Sequence, residues 1–138
     1  MMQMVMKALV AAMLVSLLAG CAQLQARRES NALKRTLETY REAIRWGYFE
    51  TAANYRHPRE GEVRELDPAG LKDVRVVSYE MSDPVLLSDR HEAHVTARIG
   101  YYRSDSGALR QIRQDQTWWY SSKEKHWLLD GDLPDFSH

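Results

Sequence analysis

His94, Thr96, Asp115 and Thr117 come closest to a catalytic grouping. They alternate along two segments that read as paired strands, so they gather on one sheet face. A His beside an Asp suggests proton transfer, yet no Cys, and no Ser in a strained turn, stands with them as a nucleophile. A solvated polar face explains them as well. Arg98 and Arg113 lie nearly opposite and would repel unless Asp115 or a bound anion intervenes, and separation by solvent is the simpler account. Asp130, Asp132 and Asp135 form a D-x-D-x-x-D run around Gly131 without the spacing or distal Glu of a calcium loop, which suits a strand terminator. His57, His91, His126 and His138 are scattered at turns with no i,i+4 partner, so no zinc site is readable. No glycine-rich phosphate loop or nucleophile elbow is present, and no metal or cofactor is expected.

Two groups of residues suggest binding. Gln114 and Gln116 share a strand face with Ala97 and Val95, where small side chains opposite amides would leave space. Tyr40, Tyr79, Trp118 and Tyr120 could then wall a polar-tipped pocket for a small apolar ligand. In the alternative the amides sit at a wet rim, or the register slips by one and inverts the faces. Trp118 and Trp119 are consecutive, so one points outward, and Trp119 with Tyr102 and Leu109 would form an apolar patch for an envelope partner or a second copy. Which Trp faces the core is left open.

The elements behind these residues follow from periodicity. Leu33, Leu37, Tyr40 and Ile44 stripe one helix face from Ser30 or Asn31, which can cap its start, and Gly47 closes it. A shorter helix spans about Tyr48 to Arg56 and ends before Pro58. Asp67-Pro68-Ala69-Gly70 has the order of a capped single turn. Val74 and Val76, then Val77, Tyr79 and Met81, alternate with one phase shift, which predicts a bulged strand. Ala93, Val95, Ala97, Ile99 and Tyr101 alternate cleanly, and Ser104-Asp105-Ser106-Gly107 is their turn. Pairing Arg103 with Ala108 then sets Ile99 on Ile112, Val95 on Gln116 and Ala93 on Trp118. Trp127-Leu128-Leu129 is a short last strand, and Phe136 tucks back or dangles.

The 138 residues carry 19 basic and 19 acidic side chains. Such a neutral chain lacks the field of a nucleic-acid binder. The apolar residues are unevenly spread: Lys7 is the only charge among residues 1–21. A short cationic start, the apolar run Ala8 to Leu17 and then small residues is the order of a secretory signal, and the run stops too early to span a bilayer comfortably.

Leu18-Ala19-Gly20-Cys21, in that position, resembles the lipobox of bacterial lipoproteins. The resemblance implies that the Cys21 sulfur is diacylated, that the leader is cut just before it, and that Ala22 in place of Asp permits sorting to the outer membrane, facing the periplasm. On this reading residues 1–20 are signal peptide, 21–29 a lipidated tether and 30–138 one domain; residues 22–30, polar with interspersed Ala and Leu24, read as a short tether or a frayed helical extension. Acyl burial at about 0.8 kcal/mol per methylene makes membrane the first partner.

Helices followed by an antiparallel meander predict an α+β domain, N-terminal helices packed on a strongly curved antiparallel sheet. With Trp46-Gly47-Tyr48-Phe49 at the helix corner and the hairpin Gln116-Thr117-Trp118-Trp119-Tyr120 to His126-Trp127-Leu128-Leu129, the chain resembles the NTF2-like superfamily, with a cystatin-like single helix on a sheet as the alternative. That superfamily holds isomerases, dehydratases and many binding or accessory domains, so the fold alone leaves function open. The expectation is an accessory or binding module using the cone pocket or the aromatic sheet face. A small isomerase or hydrolase in the cone is the rival, separable by a buried, desolvated carboxylate.

Overall fold

The computed structural model describes residues 1–87, 89 and 91–137; His138 therefore lies outside the described residues. Its elements are α1 (Met2–Arg45), α2 (Phe49–Ala53), α3 (Pro68–Leu71), β1 (Val74–Met81), β2 (Val85–Leu87), β3 (Glu92–Arg103), β4 (Leu109–Ser121) and β5 (His126–Leu129). The strands form one antiparallel sheet in the order β1-β3-β4-β5, with β2 beside β1 on the same edge of β3. The sheet curls into a half-barrel against α1, an α+β arrangement consistent with an NTF2-like cone.

Leu33, Leu37, Tyr40, Ala43 and Ile44 are the buried stripe of α1, and burying each large side chain is worth about 1.5–3 kcal/mol. The helix does not begin at Ser30. It runs unbroken from Met2, because residues 22–30 are mostly Ala, Gln, Leu, Arg and Glu, which favour helix, and neither Ser30 nor Asn31 interrupts it. What does begin at this point is contact with the domain. Glu29 is buried, its carbonyl accepts a 2.9 Å bond from Trp127 Nε1, and its carboxylate lies 2.8 Å from His91 Nδ1. At the other end, Trp46 caps α1 and Gly47 takes a positive φ of 79°, turning the chain into α2.

The β3–β4 register is the expected one, with Ile99 on Ile112, Val95 on Gln116 and Ala93 on Trp118. Gly107, at φ 69°, closes the turn. β1 carries the expected bulge between Val76 and Ser78, but Val77 is the extra residue and points to solvent instead of joining the inward set. The short β2 gives no periodic signal and was not foreseen. Trp118 faces the core, where Tyr40 meets it edge-on at 5.1 Å. After β5 the chain folds back, and Phe136 buries between Tyr101 (5.1 Å) and Phe49 (5.5 Å).

The two sides of the sheet end differently. The outer edge of β5 is covered by residues 55–57, through Leu129 N–H to the Tyr55 carbonyl and His57 N–H to the Leu129 carbonyl, each 2.7 Å. Among the described residues β1 pairs with β3 alone, and its other edge borders a groove.

Candidate functional site

Inside the curl, four of the six expected pocket residues form one hydrogen-bonded chain. Gln116 Nε2 donates to Tyr79 Oη (3.1 Å) and to Gln114 Oε1 (3.0 Å), its Oε1 accepts from Trp118 Nε1 (3.1 Å), and Gln114 Nε2 donates to the Asp132 carbonyl (3.1 Å). Gln116 is buried, not at a wet rim. Tyr40 packs on Trp118, and its buried hydroxyl has no hydrogen-bond partner among the described residues. Tyr120 stands apart, half-buried against Trp127 at 5.6 Å. Burial holds the Tyr40 phenol well above its ordinary pKa, with nearby Tyr79 and Asp132 adding to it, and lifts Tyr79 to about 12 against the opposing Gln116 hydrogen bond.

On the outer face the expected patch separates. Tyr102 and Leu109 are cross-strand partners, but Trp119 lies ten residues along β4, roughly 30 Å away at 3.3 Å per residue. Residues of matching parity share a face without being neighbours. Trp119 is also partly covered, since its Nε1 donates to the His57 carbonyl at 2.9 Å and its ring meets His57 at 6.4 Å. Thr96 and Asp115 do meet, at 2.8 Å, while His94 turns to Glu92 at 2.9 Å. Arg113 sits 3.7 Å from Asp115, which supplies the acid that relieves its facing Arg98.

The aspartates after β5 diverge. Asp130 binds Arg59, Asp132 binds Arg56 (2.8 Å) and Arg64 (3.6 Å), and Asp135 accepts from Ser137. Among the described residues no group of three His, Cys, Asp or Glu side chains could hold a metal. Arg59 also pairs with Glu92, and its guanidinium, with His94, holds the Glu92 carboxyl below the usual carboxylate range. Glu29 is the buried acid among the described residues, and it lies at the docking point of α1 outside the Gln116 cluster.

A groove of about 820 Å³ lies elsewhere, along β1 between the end of α1, α2 and α3. Trp46 and Tyr48 flank Gly47 and are 62% and 65% exposed. Gly47 in the left-handed region turns the chain sharply, which leaves the aromatic side chains on either side of it outside the core. Tyr102 and Val77 continue the apolar lining. Arg45 stacks over the Trp46 ring at 4.6 Å and donates to the Val76 carbonyl at 2.6 Å, and Arg75 donates to the carbonyls of Lys72 (2.8 Å) and Val74 (3.1 Å). Arg45, Lys72 and Arg75 face one acid, Glu50, and none of the three has a carboxylate partner among the described residues. Sequence reasoning used Trp46-Gly47-Tyr48 as a corner and missed it as a site. Two aromatics astride a helix-ending glycine were the available signal. The chain matches no family model, and neither a curated protein nor a solved structure is detectably similar to it.

Proposed function

We propose that this chain is a lipid-anchored protein of the bacterial cell envelope, held at the outer membrane through Cys21, whose domain works by binding. The observation that carries this is the stretch before Glu29: an apolar run whose side chains are exposed throughout, ending at an exposed free thiol behind Leu18-Ala19-Gly20. So much apolar surface left in water costs about 25 cal/mol per Å², which a signal removed after targeting does not impose on the mature protein. Binding is favoured over catalysis because Tyr40, Gln116 and Trp118 already fill the interior as packed core, and the groove on the β1 side is lined by exposed aromatics and cations of the kind that hold a partner.

The test is metabolic labelling with palmitate. The native chain is expected to carry label on a mature form beginning at Cys21 and to partition into detergent. Cys21→Ser is expected to leave an unlabelled precursor with the leader intact. A labelled or processed Cys21→Ser protein would sink the anchor.

A further inference from the structure

We propose that the groove beside β1 takes an acidic, extended segment of a partner protein, held by its side chains and not by strand addition. This rests on the binding role above and names the occupant. Three observations select it. The lining is cationic in a chain with equal numbers of acids and bases: Arg45, Lys72 and Arg75 against Glu50, none of the cations neutralised by a described carboxylate. A concave surface of one sign concentrates the opposite charge. Trp46, Tyr48 and Tyr102, together with the arginines, are the residue types that dominate binding energy at protein interfaces, and the first two are presented to solvent instead of buried.

The third observation decides how the segment is held. A strand adding to β1 would need carbonyls facing the groove, and those of Val74 and Val76 already accept hydrogen bonds from Arg75 and Arg45. Capping of this kind blocks edge pairing. The guanidinium groups that close the ladder still have N–H groups and full charge for a carboxylate, so Asp or Glu side chains reach Arg75, Lys72 and Arg45. Apolar side chains between them settle on Trp46, Tyr48 and Val77.

The probe is a displayed library of random heptapeptides, selected on the full chain purified in detergent micelles. Enrichment of peptides carrying two or more Asp or Glu residues is expected, with binding weakened about tenfold or more by Trp46→Ala or Tyr48→Ala and steeply by added salt. Lys72→Glu with Arg75→Glu is expected to turn selection toward Lys and Arg. These side chains are exposed, and unchanged circular dichroism and melting will show that the variants fold. Selection without acidic enrichment, acidic peptides that bind the variants as well as the parent, or tighter binding of an acidic oligogalacturonate at the same residues would each overturn the proposal. Peptide binding in micelles does not depend on acylation, so the palmitate experiment can fail while this one succeeds, and the reverse.

Discussion

Gln116 shows what a single polar residue does inside this core. Its amide satisfies Tyr79, Gln114 and Trp118 at once. Gln116→Leu keeps the volume but leaves the Trp118 N–H buried and unpaired, a loss of about 1–3 kcal/mol that urea unfolding would measure. No change would mean that water or a shifted side chain replaces the amide. Tyr79 carries a pH signature. Its folded-state pKa of about 12 exceeds the ordinary phenol value of 10.0, so the folded protein holds the proton longer than the unfolded chain. Its contribution is fully present below pH 10 and is lost as pH rises toward 12. Stability should therefore fall across that window, less steeply in Tyr79→Phe, and ultraviolet titration should find Tyr79 ionising near pH 12 and Tyr40 also well above the ordinary phenol range. The alternation of β3 and β4 made Gln116 legible as an inward residue. Its burial was not legible, because strand parity gives the face and not the depth at which the tail covers it.

Among the elements, Arg56 ties the end of α2 to the loop after it and to the tail beyond β5. It donates to the carbonyls of Ala53 and Arg64 and pairs with Asp132. Its side chain is 8% exposed while that of Asp132 is 37% exposed, so its loss strands a partly solvated carboxylate and two carbonyls. Arg56→Ala is expected to cost about 2–4 kcal/mol, and Arg56→Lys to recover only part of it, since one ammonium cannot replace the guanidinium fork. Denaturant midpoints for the pair of variants check this, and equal midpoints would refute the role of the fork. Such a residue hides in sequence, where it reads only as the helix end before His57-Pro58. The hairpin register and the β1 bulge were readable because each leaves a local trace, an alternation or a slip in phase. Of the two readings of residues 22–30, tether or helical extension, the chain takes the second, because a capping residue is evidence of a helix end only where the preceding residues disfavour helix, and here they favour it. The aromatic patch was misread because parity was taken for proximity along a strand of 13 residues.

At the scale of the whole molecule, the domain begins where α1 first touches the sheet. Among the described residues nothing before Gln25 is bonded to the domain side chains, and Arg27 and Arg28 are exposed on the helix. Brief trypsin treatment should cut at this pair and release a fragment starting at Arg28 or Glu29 that melts as the parent does. Mass spectrometry and a thermal scan would check both. A fragment that unfolds on release would show that the leading turns of α1 support the fold.

The unbroken course of α1 has a geometrical consequence. From Cys21 to Arg45 it is a rod of about 36 Å, at 1.5 Å per residue, with the thiol at one end and Trp46 just past the other. Were Cys21 the point of attachment proposed above, a slack leash would let the groove wander in height, whereas a rod keeps it at one distance from that point. Deleting two residues from 22–28 would shorten that distance by only about 3 Å but turn the groove through about 200° around the rod axis relative to Cys21.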